Sequence, residues 1–391
     1  MYSSECLTFT LNLLLMAFFN DLHDYVIPHH CEPRSYYPTQ IGAVIVQFHE
    51  VVPRLEEVDV FLIGCGEFRG ENAEWSYSQG PDIIRNELYK LYYWHQNVTI
   101  ADLGNIRQGN SLADTAAALQ YVLKELGALG KRVLVLGGSH DLTLQQYNAC
   151  KKREQIIDMS VVDMLADLDD TEGERYDNHL MEALTGMPNF VRHFNLIGFQ
   201  SYYVNPMMIE TFHKLHFDCI RVGKARENME ELEPAFRSSH VVSIDINAIR
   251  YSDAPANKLG SPNGFYGDEM CKLTRFAGMS TNLLSMGIYG YRPDADHDLI
   301  TAKLLAQMVW YFIDGILVAK TESPLLDLDQ FMEYTISIPE NRAVFLKSKK
   351  TNRWWMQLPD KQFIACTYND YLTACSNQIP ERWMREVERL V

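Results

Sequence analysis

From Asp59 onward the chain alternates short β-rich apolar runs with longer helical patterns, the habit of a parallel sheet covered by helices on both faces. The runs are VFLIG (60–64), VTIADL (98–103), RVLVLGG (132–138), MSVVDM (159–164), HFNLIGF (193–199), FDCIRV (217–222), VVSIDI (241–246) and LLSMGIYG (283–290). Most are apolar throughout, as expected of strands buried on both sides. Between them, the segment from Ser111 opens on a Ser111-x-x-Asp114 capping pattern and places Leu112, Ala116, Leu119, Leu123 and Leu126 on one helical stripe. Asn205-Pro206 reads as an N-cap followed by proline at the first helical position. Residues 300–313 are apolar nearly all round and predict a buried closing helix. The fold class is α/β. The expected division is an N-terminal extension at 1–58, an α/β domain at 59–318 and a C-terminal extension at 319–391. The last holds expected strands near 334–338 and 343–347, the Trp354-Trp355 segment and a helix from Pro380.

Charge and cysteine usage narrow the function. With 51 Asp+Glu against 35 Lys+Arg, the net charge of −16 repels a phosphate backbone and offers nothing to an anionic membrane surface. Nucleic acid is excluded as an expected partner. The eight cysteines (Cys6, Cys31, Cys65, Cys150, Cys219, Cys271, Cys366, Cys375) contain no C-x-x-C pair, so neither a zinc framework nor a compact disulfide scaffold is expected, and the cytoplasm is the expected compartment. The apolar stretch 7–19, LTFTLNLLLMAFF, is broken by Asn12 and falls short of the ~20 residues that a bilayer requires. No membrane span is expected there, nor a secretory signal, because no basic segment precedes it. Met16 is an alternative start to Met1.

Chemistry concentrates just past three strand ends, where open α/β sheets place their ligands. LVLGGSHDLT presents His140 after a Gly137-Gly138 turn, SVVDMLADLDD presents Asp163 and Asp167, and VVSIDINAIR presents Asp245 and Asn247. Singly, the histidine is as consistent with a turn residue and each aspartate with a helix cap. Jointly they form a nitrogen and oxygen donor set suited to manganese, iron or zinc.

These strings resemble, in order and register, the motifs of the ureohydrolase superfamily, the arginase, agmatinase and formimidoylglutamase group. GGSHD, DMLAD and SIDINAIR stand where the family has G-G-D-H-S, D-A-H-x-D and S-x-D-x-D-x-x-D-P. QGPDIIRNELY (79–89), ADLGNI (101–106), LIGFQS (196–201), DAPANKLGSPNGF (253–265) and PDADHDLITAKLLAQMVWYF (293–312) resemble its flanking segments, so the likeness runs from Asp59 to Asp314. It implies a three-layer α/β/α fold and a pair of Mn²⁺ ions whose bridging hydroxide attacks a guanidinium or formimino carbon. It also implies a homo-oligomer.

By the same resemblance one metal would take His140, Asp163, Asp167 and Asp245, and that set is complete. The other would need donors at Leu165 and Asn247, where a hydrocarbon and a neutral amide now stand. The family's aspartate before the metal histidine is Ser139, its Asp-Pro after the third motif is Arg250-Tyr251, and its amidine-binding glutamate is Gly290. His179 corresponds to a proton-transfer histidine, and Arg250 is a candidate to carry a guanidinium into the old metal cavity. The expectation is at most one metal, manganese by resemblance with zinc or iron as alternatives, or none. The expected function is a non-catalytic binding or scaffold protein, taking a small guanidino, formimino or amide ligand, or a protein partner through the terminal extensions. The alternative is a single-metal hydrolase of a C–N bond in a guanidino- or formimino-amino acid or related amide, with Asp167 and His179 as the catalytic pair.

Overall fold

A computed structural model describes residues 21–30, 32–48, 57–71, 78–168, 178–338 and 341–390. The apolar stretch 7–19, the two candidate start methionines, Cys6, Cys31 and the acidic pair at 169–170 lie outside them.

All eight expected strands form. They are β3 (Val60–Gly64), β4 (Ile100–Ile106), β5 (Arg132–Leu136), β6 (Ile157–Val162), β7 (Val191–Phe199), β8 (Asp218–Arg221), β9 (Val241–Asp245) and β10 (Ser285–Tyr289). Two short strands, β1 (Val26–Ile27) and β2 (Val46–Gln47), join from the N-terminal segment, so that part of it belongs to the main sheet. Among the described residues the spatial order is β1-β4-β3-β5-β10-β9-β6-β7-β8, with β2 also paired to β4. Every pairing is parallel except β1 with β4.

Alternation of side chains along each strand builds core on both faces of the sheet. Leu134, Leu136, Val242, Ile244, Met286 and Ile288 point to one face, which the helices Gly80–Leu88, Gly267–Gly278 and Ile300–Thr321 cover. Val133, Val135, Phe61 and Ala101 point to the other, against Leu119, Val122 and Leu126 of the helix Leu112–Ala128. Each such fully buried aliphatic side chain contributes roughly 1.5–3 kcal/mol. This is the expected α/β/α sandwich. The Ser111 capping box is formed, and Asn205 caps Pro206–Lys214 as expected. The helix Ile300–Thr321 extends beyond the expected residue 313, because Asp314 is spent on Arg275 (2.5 Å) and nothing interrupts the helix before Pro324. It is long and apolar enough to cross a membrane, yet Leu305, Met308, Phe312 and Ile316 are buried within the protein.

Two of the strings quoted from sequence prove to be one physical unit. Arg85 of Gly80–Leu88 is fully buried and donates to Asp102 of β4 at 2.7 Å and to the Gly104 carbonyl at 2.7 Å. Burial alone would disfavour its charge, and Asp102 repays it.

The C-terminal segment forms a second sheet, antiparallel, of β11 (Phe331–Ile338), β12 (Asn341–Ser348), β13 (Trp354–Gln357) and β14 (Phe363–Cys366), with helices Tyr368–Cys375 and Glu381–Leu390. Neighbouring residues on β13 face opposite ways. Trp354 enters the small core with Phe345 and Met356, whereas Trp355 lies under the Arg237 guanidinium at 4.5 Å and ties the sheet to the helix Glu233–Ser238. Both tryptophans are thus used inside the chain.

Candidate metal centre

Four adjacent strands bring the chemistry together. The order β5-β10-β9-β6 sets the carboxyl end of β10 between those of β5 and β9. The three donor-bearing strand ends are therefore not consecutive, and Gly290 fills the gap. Past β5, Gly137 and Gly138 adopt φ of +82° and +85°, a left-handed turn that a side chain would resist, and they feed the short turn His140–Leu142. Asp163 follows β6 directly, and Asp167 holds a left-handed φ of +46°, which aspartate tolerates better than most residues. Asp245 closes β9 and accepts the Asn247 N–H at 2.8 Å.

His140 is the hub. Its Nδ1 lies 3.1 Å from Asp163 Oδ2, 3.1 Å from Asp167 Oδ2 and 3.6 Å from Asp245 Oδ2, and all four side chains are buried. Its Nε2 meets the Ser243 hydroxyl at 3.0 Å, and Ser243 in turn meets Thr143 at 2.5 Å. A hydrogen bond from Nε2–H to Ser243 leaves the Nδ1 lone pair aimed at the carboxylates, the tautomer a metal ligand needs. Among the described residues two triads are spaced to hold an ion, His140–Asp163–Asp245 and His140–Asp167–His179, and both require His140. His179, which opens the helix His179–Thr185, sits 3.9 Å from Asp167 and 4.8 Å, ring to ring, from His140.

The other expected residues fall elsewhere or are spoken for. Leu165 is half-buried and contributes its backbone N–H to Asp163. The Asn247 side-chain oxygen accepts the Leu259 N–H at 3.0 Å. Gly290 has φ +88°, and a Cβ there would stand 2.8 Å from Asp245 Oδ1. The expectation that Arg250 enters the cavity is not met. Its Nε donates to Asp253 at 2.8 Å, and its guanidinium lies 3.9 Å from the centre of the Tyr266 ring.

Sequence reading missed Glu71, Lys258 and Arg292. Glu71 Oε2 is 3.1 Å from Arg292 and 3.9 Å from Lys258, and the Glu71 side chain is buried. Ser243 was also missed, although its place two residues before Asp245 puts it on the same face of β9.

Crowded buried carboxylates hold protons. Burial, aided by Asp167, pushes Asp163 up to about 7, and burial with Asp245 pushes Glu71 up to about 7 against Lys258 and Arg292. Burial also raises Asp167. For His140, burial disfavours the charged ring, but Asp163, Asp167 and Asp245 outweigh it and hold the imidazole well above its ordinary value. All four folded-state values lie above the unfolded ones, so their stabilisation is complete at low pH; that of Asp163 and Glu71 is lost as pH rises through about 7, and that of His140 only as pH rises through its own raised value. The chelator-treated protein is expected to melt at a lower temperature at pH 8 than at pH 5, Glu71 alone accounting for on the order of 3 kcal/mol. A melting temperature that rises over this interval would contradict the assignment.

An ion fits this donor set: buried like charges converge on one imidazole lone pair, with a hydroxyl fixing the far side of the ring. Comparison with known proteins agrees in fold. Formimidoylglutamase of Streptococcus gordonii is 33% identical over 145 residues, 34% of this chain and 43% of that protein, so the match spans less than half the length of that relative. Formimidoylglutamase of Staphylococcus haemolyticus is 21% identical over 255 residues, 60% of this chain and 78% of that protein. Among solved structures, Trypanosoma cruzi formiminoglutamase with Mn²⁺ superposes with a TM-score of 0.63 at 17% identity, covering 71% of this chain and 98% of that one. Bacillus subtilis formimidoylglutamase gives 0.63 at 16% identity, with 74% and 95% covered. The family model described as the arginase family matches residues 59–314, well over half of the 391, and the chain belongs to that family.

Proposed function

We propose that this arginase-family chain holds a single divalent ion, manganese in the first instance, on His140, Asp163, Asp167 and Asp245, and serves as a non-catalytic binding or scaffold protein. One observation carries the reading: Asn247, where a second ion would need a carboxylate, spends its only side-chain oxygen on the Leu259 N–H. The bound ion would offset two of the three buried negative charges and tie the ends of β5, β6 and β9 together. No group at position 290 is left to grip an amidinium. Both candidate triads pass through His140, and its second ring nitrogen is engaged by Ser243, which also favours one ion over two.

A second reading has an observation of its own. His179 reaches the cluster beside Asp167, where it could pass a proton to or from a small formimino or guanidino compound. Elemental analysis after equilibration with Mn²⁺, followed by assays on formimidoylglutamate, arginine, agmatine and guanidine, separates the two. About one ion per chain with no turnover is expected. Turnover at one ion per chain would favour the hydrolase, and two ions per chain would overturn both.

A further inference from the structure

The C-terminal sheet lies outside residues 59–314, which match the family, and carries a pocket of its own. Strand parity puts Tyr334, Phe345, Lys347, Trp354 and Met356 on one face, with Tyr334 opposite Phe345 and Lys347 opposite Trp354. The helix Tyr368–Cys375 packs on this face and lays Tyr371 against it, 4.8 Å from the Trp354 ring, 5.4 Å from Tyr334 and 5.5 Å from Phe345. At the first turn of that helix the cover stops short. Tyr334, Lys347, Asn352, Trp354, Tyr368 and Tyr371 there line a pocket of about 430 Å³, within the roughly 300–1,000 Å³ of small-molecule sites.

Ring geometry and charge define what fits. Tyr368 stacks on Tyr371 at 20° and 5.7 Å and is half exposed, so the pile of Trp354, Tyr371 and Tyr368 rings ends in a residue open to solvent. Another flat ring extends such a pile. Residues 341–359 carry Arg342, Lys347, Lys349, Lys350 and Arg353 and no Asp or Glu, in a chain of net charge −16. Two of these cations are spent within the chain: Lys349 donates to the Asp329 carbonyl at 2.7 Å, and Arg353 lies 3.0 Å from Glu322. Lys347 forms no ion pair among the described residues, and its ammonium stands 5.6 Å from the centre of the Trp354 ring. Aromatic pockets commonly take cations, but here a fixed ammonium already occupies the wall and repels a second one. The same ammonium attracts an anion.

We propose that this pocket binds a small anion built on an aromatic ring, with the ring packed on Tyr368, the charge met by Lys347 and Asn352 on the rim. Two sources carry that chemistry, a mononucleotide and an aryl carboxylate.

The test is calorimetric titration of the full chain with adenosine monophosphate, benzoate, their neutral counterparts adenosine and benzamide, inorganic phosphate and choline. Adenosine monophosphate, benzoate or both should bind, and whichever does identifies the source. The neutral counterpart should bind about threefold more weakly or worse. Lys347→Gln should erase that difference and Lys347→Arg should keep it, while Tyr368→Ala should weaken the ring-bearing anion at least about fivefold and Tyr368→Phe should not. Added salt, which needs no variant, should weaken the anion and leave the neutral compound unchanged. The proposal is overturned if neither ring-bearing anion binds, if the neutral counterpart, inorganic phosphate or choline binds as tightly, or if salt has no effect. Binding that survives both Lys347→Gln and Tyr368→Ala would place the anion elsewhere on the chain and overturn it equally.

Discussion

Replacing His140 by alanine should strip the chain of manganese and lower its melting temperature more than any other single change at the site. The reason is electrostatic. Asp163, Asp167 and Asp245 are buried around one imidazole, with oxygens 3.1, 3.1 and 3.6 Å from Nδ1, so that without metal the imidazolium is their nearest counter-charge. Removing one partner of a buried ion pair costs about 3–5 kcal/mol because the other charge is stranded, a large share of the roughly 5–15 kcal/mol that holds a typical domain together. Part of this would be relieved by protonation of Asp163, which already titrates near 7. The loss should therefore be smaller at pH 5 than at pH 8. Asp163→Asn is the informative contrast: it also removes a metal donor, but it relieves like-charge crowding, so the chelated variant should melt at or above the parent temperature while binding Mn²⁺ far more weakly. Thermal melts with and without chelator, together with calorimetric Mn²⁺ titration, read both effects. A His140→Ala protein that kept a stoichiometric ion, or that melted with the parent at pH 8, would remove the hub from the scheme.

The contrast between what sequence reading reached and what it missed has a physical basis. Strands buried on both faces announce themselves as unbroken apolar runs, and all eight expected strands form within a few residues of the expected limits. The candidate donors were legible because each lies at or just past a strand end: Asp245 closes β9, Asp163 follows β6 directly, and His140 and Asp167 stand on the turns after β5 and β6. The two-residue strands β1 and β2 are too short to carry a period, and their places depend on pairing to β4. Glu71, Lys258 and Arg292 are far apart in the chain and share no spacing, so only the folding of three loops brings them together. Arg250 was misplaced for the converse reason. It lies close to the third motif in sequence, but Ile249 bridges to Phe265, and the backbone there directs Arg250 to Asp253 and Tyr266. Chain proximity to a strand end thus predicts a site residue only while the strand direction persists.

The second large effect is expected from Gly290→Glu, the change that would restore the family's amidine-binding carboxylate. Backbone conformation opposes it first. A φ of +88° is open to glycine and costs a residue with a Cβ about 1–3 kcal/mol. Sterics oppose it next, because the new Cβ would stand 2.8 Å from Asp245 Oδ1, closer than such contacts tolerate, and the Gly290 N–H is tied to the Gly138 carbonyl at 2.8 Å. Either β10 gives way, with the His140 turn behind it, or Asp245 moves out of the donor set. Charge opposes it last, since the new carboxylate would join Asp163, Asp167, Asp245 and Glu71 in a buried region where the carboxyl groups of Asp163 and Glu71 already titrate near 7. Together these effects should cost about 3–5 kcal/mol and weaken Mn²⁺ binding at least tenfold. Gly290→Ala isolates the backbone and steric parts and should show roughly half the destabilisation with a smaller loss of affinity. The glutamate could reach a substrate only if Asp245 retained its place. A Gly290→Glu protein with parental melting temperature, undiminished Mn²⁺ affinity and new activity on formimidoylglutamate would therefore mean that position 290 is an open substrate contact, and the non-catalytic reading would fall with it.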